Sequence, residues 1–448
     1  MIHRLLSIFG TAVLSVASLS ADTTQWDLNR CLSYAREKNI SVRTLHLDKQ
    51  SDEAALEKAR AARVPDLWAG TSYSLSKNNA GDFSGSASTS SVSQRAQFSL
   101  SSGVTLFNGF KTRNDITQKE LQIDMDNAAI EENTQLIEVA VTQAYLQVLF
   151  AHESHKNAEN NRETTVKQFE YTQERYNVGS ASVVELEQMR SQVARDEYEV
   201  ITARNEIAQR ILELKQLLEL TPVETFTPYF PVLRDSIQLP ELPDKEVLFQ
   251  KALENLPQVK KSKLAVEIAE TEKRKSTSGY YPTINLSGSI SSHYTVDASD
   301  GFSTQMEDNF SPSAGVQLSV PITDNKQTKT AVTQSDIAVQ KAILHYEQLE
   351  KTVLMEVEKT YENCVAVYNR YRAAIAQLKA AHTSYDLAQQ QHALGMLKPT
   401  ELLVQRDLYN DALQELTRAK YSALLSYQLL TIYEGKHISF PEEFSLKE

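Results

Sequence analysis

Two stretches of 69 residues, Phe110–Val178 and Lys326–Leu394, contain neither glycine nor proline. As helices they are rods of about 100 Å at about 1.5 Å per residue. A rod of that length cannot be buried in one globule, so the chain must build something elongated. From Tyr361 onward, Tyr361, Cys364, Tyr368, Tyr371, Ile375, Leu378, His382 and Tyr385 recur at alternating steps of three and four, the spacing of a coiled-coil seam. Each rod stops at a glycine, Gly179 or Gly395, and each is predicted to continue as a second, shorter helix, Ser182 to Leu220 in one case and up to "LTIYEG" in the other.

These turns belong to an internal duplication with a shift of 216 or 217 residues. "YNVGSASVVEL" lies over "HALGMLKPTEL", with Gly179 on Gly395, Glu185 on Glu401 and Leu186 on Leu402. At the same shift Tyr145 meets Tyr361 and "SGVTLFNGF" meets "SVPITDN"; at 217, Pro65 meets Pro282. Resemblance by composition alone would not hold register across strand and turn segments. The chain therefore divides into residues 1–21, a first repeat at 22–221, a crossover at 222–243, a second repeat at 244–434 and a tail at 435–448. The crossover region "TPVETFTPYFPVLRDSIQLPELPD" carries five prolines in 24 residues and reads as extended.

Each repeat reads as helix, strand, strand, long helix, shorter helix. The opening helices are expected over Leu28 to about Ala62 and Lys245 to Lys275, the first ending before Pro65 because the residue preceding proline resists helix. Pro65 and Pro282 open the strand segments. Leu67, Ala69, Thr71, Tyr73 and Leu75 share one face, and Phe98, Leu100, Ser102, Val104 and Leu106 another, opposite small uncharged residues. Ile284, Leu286 and Ile290, then Val316, Leu318, Val320 and Ile322, repeat the alternation. The connections "KNNAGDFSGSASTSSVSQ" and "TVDASDGFSTQMEDNFSP" read as exposed loops.

An apolar face backed by small polar residues fits a soluble sheet or the wall of a water-filled barrel in lipid. Taken alone, the pattern favours the soluble sheet; the 100 Å rods reverse that preference. Four strands cannot close a barrel, which takes at least about eight, so a membrane reading requires an oligomer. A dimer would supply eight strands, and a trimer twelve with twelve helix columns.

Composition bounds the partners. A formal net charge of −12, with no Lys/Arg-rich block to reverse it, argues against nucleic acid, because phosphate binding needs a basic surface. The segment "MIHRLLSIFGTAVLSVASLSAD" has a basic start, an apolar stretch too short to span a bilayer and small residues near Ser20 and Ala21, which predicts an export signal at 1–21 without an acyl anchor at Cys31. Cys31 and Cys364 both sit in helical patterns and are expected to be buried structural residues, although spacing cannot decide whether they pair.

In order and spacing, the signal, the duplication, Pro65 and Pro282, "VTLFNGF" and "VPITDN", and the paired glycine turns resemble the TolC family of outer-membrane efflux and secretion channels over nearly the whole mature chain. The family pattern is broken at Thr105, Thr323 and Asn325, near the hinge between strand and long helix. The resemblance implies a mainly α fold with a membrane β-barrel. A homotrimer would form a 12-stranded barrel in outer-membrane lipid of a diderm bacterium, continued by a 12-helix tunnel across the periplasm. It implies an exit duct with no cofactor, docked to a periplasmic membrane-fusion adaptor and, through it, to an inner-membrane pump of the RND, ABC or MFS class. Docking would involve Val178, Gly179 and Ser180 in one turn and Leu394, Gly395 and Met396 in the other. An acidic ring at the entrance would use Glu401; a second acidic position of the family falls on Val404. The tyrosine and arginine that latch some members fall on His392 and Leu397.

The alternative reading is a structural periplasmic coiled-coil protein without a transmembrane barrel. A periplasmic adaptor is disfavoured because the chain has two equivalent hairpins. No catalytic constellation is legible: His152 and His155 in "HESH" lack metalloprotease spacing, no glycine loop cradles phosphate, and the helical tyrosines read as packing residues. The chain is not expected to be an enzyme or to hold a metal.

Overall fold

The computed structural model describes residues 25–80, 89–231, 240–296, 298–436 and 438. The expected signal at 1–21, residues 232–239 of the crossover and most of the 435–448 tail lie outside them.

Two helices open the first half, α1 (Leu28–Lys38) and α2 (Ile40–Ala61), followed by strands β1 (Trp68–Ala80) and β2 (Thr89–Asn108), the rod α3 (Lys111–Asn177) and α4 (Val183–Leu217). The second half repeats this as α5 (Lys245–Asn255), α6 (Pro257–Thr277), β3 (Thr283–Thr295), a short helix α7 (Phe302–Asp308), β4 (Ser311–Ser319), the rod α8 (Gln327–Ala393) and α9 (Pro399–Tyr433). Both rods are 67 residues long and both shorter partners 35. Their boundaries differ by a constant 216 (327 − 111, 393 − 177, 399 − 183, 433 − 217).

The same shift governs the strained backbone. Among the described residues, the positive-φ positions form four pairs 216 apart: Gly109 with Asn325, Phe110 with Lys326, Gly179 with Gly395, and Glu219 with Gly435. The left-handed region costs a residue with a Cβ about 1–2 kcal/mol, so its retention at Glu219, Asn325 and Lys326 shows that the fold imposes it. At the strand-to-rod hinge Asn108 Oδ1 accepts from the Thr112 N–H at 3.2 Å, and Asp324 Oδ2 accepts from the Thr328 N–H at 2.7 Å.

Several sequence expectations change in detail. The opening helix is broken at Asn39, whose side chain accepts from the Ser41 and Val42 N–H groups and starts a new helix. Its counterpart breaks at Leu256, ahead of Pro257. The first loop is shorter than expected, since β1 and β2 pair out to Ala80 and Thr89. The second loop contains α7. Val320 and Ile322 lie beyond β4, because Pro321 has no N–H to extend the ladder.

The described residues fall into two compact units, one of residues 25–34 and 147–231, the other of 35–146 and 240–438. In the first, Trp26 exchanges backbone hydrogen bonds with Thr227 and Tyr229 at 2.9 Å each, and the His152 ring stacks on Phe230 at 3.9 Å. The thiol of Cys31 is buried and pushed up to about 12 by that burial.

In the second unit the four strands form one antiparallel sheet in the order β1-β2-β3-β4. Register aligns the alternating faces: Thr71 pairs with Phe98, Leu100 with Ile290, and Leu286 with Val316. A bulge at Thr105/Phe107 absorbs one residue of β2. α8 packs on α6 along one part and on α9 along another, and α9 ends against α5, where Gly435 lies beside Asn255. The buried seam of α8 passes through Cys364, Val367, Tyr368, Tyr371, Ala374, Tyr385 and Ala388. Ile375, expected on it, is 37% exposed, and His382 is exposed too. Alanines carry the seam at these levels, where a small side chain permits close approach of the facing helix. Cys364 is free and buried, its thiol pushed up to about 11.

Candidate functional site

The hairpin turns are built alike and finished differently. In the first, Gly179 has φ +76° and its N–H donates to the Tyr176 carbonyl, while the Ser180 N–H reaches back to the Arg175 carbonyl at 2.8 Å. This left-handed helix stop satisfies carbonyls that the end of α3 would leave open. The Arg175 guanidinium donates to the Ser180 carbonyl at 2.9 Å and the Ser180 hydroxyl donates back to the Arg175 carbonyl. Ser182 then caps α4, accepting from the Glu185 N–H at 3.2 Å.

In the second turn Gly395 has φ +73°, its N–H donates to the His392 carbonyl, and the Met396 N–H donates to the Gln391 carbonyl at 2.8 Å. His392 Nδ1–H donates across the turn to the Leu397 carbonyl at 3.0 Å. No side chain caps α9; Pro399 stands at its start instead. The Leu397 side chain packs against the cluster of Tyr385, Ala388 and Leu402, joined by Tyr409. Tyr385 and Tyr409 stack at 5.6 Å. Burial, with the Asp386 carboxylate and Tyr385 nearby, pushes the Tyr409 phenol above its ordinary range.

Among the described residues, nothing lies within 4 Å of a Cβ built on either Gly179 or Gly395. Both turns display bare apolar surface: Val178 is 79% exposed, Leu394 76% and Met396 75%. Ser180 is exposed as well. Glu401, in the first turn of α9, is exposed, and Val404 and Leu408 follow it on one helix face. Glu185 is half-buried instead, with Oε2 shielded and lacking a hydrogen-bond partner among the described residues.

The first strand is tied to its neighbour at the residue that follows Pro65. Next to Pro65, the Asp66 N–H donates to the Gly103 carbonyl, and the Asp66 carboxylate accepts from Trp68 Nε1 at 2.9 Å and the Gly103 N–H at 2.7 Å. Those two donors hold the Asp66 carboxyl below its ordinary range. Pro282 immediately precedes β3. Sequence reading missed Asp66, Arg175 and Leu408. An Arg five residues before a Ser has no recognisable pattern until the turn brings them together. Among the described residues no three His, Cys, Asp or Glu side chains are grouped to hold a metal. Nor is any described helix long and apolar enough to cross a membrane.

Two helical hairpins of this length carried with a four-stranded sheet of apolar and small-polar faces define the class of outer-membrane duct proteins. The chain belongs to the outer membrane efflux protein family, whose profile matches residues 31–219 and 248–435. It is 23% identical to outer membrane protein TolC of Salmonella enteritidis over 92% of this chain and 82% of that protein. Its fold matches a crystal structure of CusC with a TM-score of 0.78 at 19% identity, covering 91% of this chain and 92% of that one. VceC from Vibrio cholerae matches at 0.75 and 15% identity, covering 91% and 96%. The chain is an outer-membrane protein, and the reading as a coiled-coil protein without a barrel finds no support.

Proposed function

We propose that the chain is the exit duct of a tripartite efflux or type I secretion system, passing substrates without chemistry of its own. The observation that carries this reading is the sheet. Its register places an apolar face opposite a polar one made mostly of small residues, with Arg95 near its outer end, and β1 and β4 stand at its edges. Open edges in lipid leave backbone groups unpaired, each at a cost of several kcal/mol. Three copies close the ring with twelve strands, β4 of one pairing with β1 of the next, and the residue 22–221 and 244–434 repeats supply the helical columns of the tunnel.

In this reading the adaptor docks on the turns at Val178, Gly179 and Ser180 and at Leu394, Gly395 and Met396. The absence of side chains at both glycines lets another backbone approach closely, and the exposed apolar flanks give that partner something to bury. The entrance is narrowed by the second turn, with Glu401, Val404, His392 and Leu397 near the constriction. Three Glu401 carboxylates around a threefold axis favour cations. The pump behind the adaptor, of the RND, ABC or MFS class, supplies the energy.

The test is fractionation of the native membrane followed by electrophoresis with and without heating, then reconstitution in planar bilayers. The expected result is an outer-membrane trimer that dissociates on heating and conducts ions. A soluble monomer would overturn the reading.

A further inference from the structure

The β3–β4 connection does more than join two strands. β4 stops pairing at Ser311 opposite Ser291, so the outer end of β3 pairs with β2 on one side and has no strand on the other. α7 supplies that partner through side chains. Gln305 accepts from the Thr295 N–H at 2.8 Å and donates to the Thr295 carbonyl at 3.1 Å, while Asn309 donates to the His293 carbonyl at 2.8 Å. Gln305 is only 5% exposed. A seven-residue helix is marginal alone; these amides pin it to the strand edge.

Pinned there, α7 reaches over the apolar face of the sheet. Phe302 meets Tyr294 at 5.4 Å and Phe98 at 6.3 Å, both edge-on, and the Ser292 hydroxyl donates to the Met306 carbonyl at 2.9 Å. The helix does not lie flush. Beneath it is a slot of about 460 Å³ lined by Thr71, Phe98, Leu100 and Ile290 from the sheet and by Met306 and Phe310 from the α7 side. It continues along the same face as a second groove of about 430 Å³ past Leu67, Gly288 and Ala314. Among the described residues, no charged side chain lines either.

We propose that this slot binds an acyl chain of an outer-leaflet membrane lipid, clamped against the barrel wall by α7. The inference rests on the apolar face being the lipid face. The slot opens onto the apolar face and its walls are almost entirely apolar, so where that face meets lipid, hydrocarbon and not water fills it. The long, open shape and the small residues Ala69, Gly288 and Ala314 suit a flexible chain lying along the strands. α7 lies at the end of the sheet away from the helices, which places the slot in the outer leaflet.

The test uses trimers reconstituted in phosphatidylcholine bilayers doped with a phosphatidylcholine that carries a photoactivatable diazirine on one acyl chain, with adducts mapped by mass spectrometry. Labelling of Met306 and Phe310 is expected to exceed that of Val316 and Leu318, which lie on the same face outside the slot, at least threefold. Ala69→Phe, which fills the slot from an exposed position, is expected to remove that excess while leaving Val316 and Leu318 unchanged. Equal labelling at all four, or an excess that survives Ala69→Phe, overturns the site and leaves the lipid face intact. Unlabelled Val316 and Leu318 overturn the lipid face as well.

Discussion

His392 donates its Nδ1–H to the Leu397 carbonyl oxygen at 3.0 Å, closing the second hairpin turn over Gly395. The first turn is closed by different means, the Arg175 guanidinium on the Ser180 carbonyl. Beyond the backbone bonds they share, the equivalent loops thus hold their shape by unrelated side-chain chemistry, and the one with Pro399 and no side-chain cap depends more on its cross-turn side-chain bond.

His392→Leu removes that donor and leaves the Leu397 carbonyl to water. A neutral hydrogen bond contributes about 1 kcal/mol net, so amide exchange at Met396–Lys398 is expected to speed up about fivefold, measured by hydrogen–deuterium exchange. Exchange at Val178–Ser182 should be unchanged.

Gly179→Arg and Gly395→Arg start from open positions, since no described atom lies within 4 Å of a built Cβ; their cost within the chain is the left-handed backbone, about 1–2 kcal/mol each. Trimers should survive in the outer membrane, while export of the system's cargo falls at least tenfold in the double variant. Export at the wild-type level would count against docking at these turns.

Glu401→Gln removes an exposed carboxylate at the start of α9. In planar bilayers the cation-to-anion permeability ratio should fall by about twofold or more, and block by polyvalent cations should weaken, by the electrostatics of charged rings. Glu185→Gln serves as the comparison, since that carboxylate is half-buried.

Gly109→Ala should be far more damaging than its position in a hinge suggests. A Cβ there would stand 2.7 Å from both the Ser278 carbonyl oxygen and the Tyr281 Cβ, with φ at +63°. Left-handed strain and overpacking together cost about 2–4 kcal/mol, expected as loss of heat-stable trimer on gels. Asn325→Gly, at the repeat-equivalent position, relieves strain and should raise trimer stability slightly.

Glu434 joins α9 to α5, accepting from Lys436 at 2.6 Å and Lys251 at 3.3 Å. The Lys436 hydrogen bond, with Lys251 in support, holds its carboxyl below the ordinary range. A depressed folded-state value means the contribution is complete above the unfolded value of about 4.3 and is lost as pH falls through the folded one. Thermal unfolding followed from pH 7 to pH 3 should show the wild type losing more stability than Glu434→Gln below about pH 5.

The sequence by itself determined the duplication, the two rods, the four strands and the turn glycines. Each of these is local: absence of Gly and Pro, period-two alternation, and residues that tolerate positive φ are written within a few positions of where they act. The constant 216 shift of rods and partners is therefore readable from either end, and so is the turn pair Gly179 and Gly395, whereas Phe110, Lys326 and Glu219 carry side chains that do not announce a left-handed backbone. What only the tertiary structure decided depends on atoms far apart in the chain. The α8 seam passes through Ala374 and Ala388 because the facing helix, not the periodicity of α8, sets how closely it is approached. Asp66 gains its role from Gly103, 37 residues on, and Gln305 is buried because β4 is too short to cover the end of β3. A polar stretch reads as a loop in sequence because its residues can all face water. The unpaired edge of β3 is what orders this one, since a backbone N–H and carbonyl without a strand partner bind whatever amide the chain can bring.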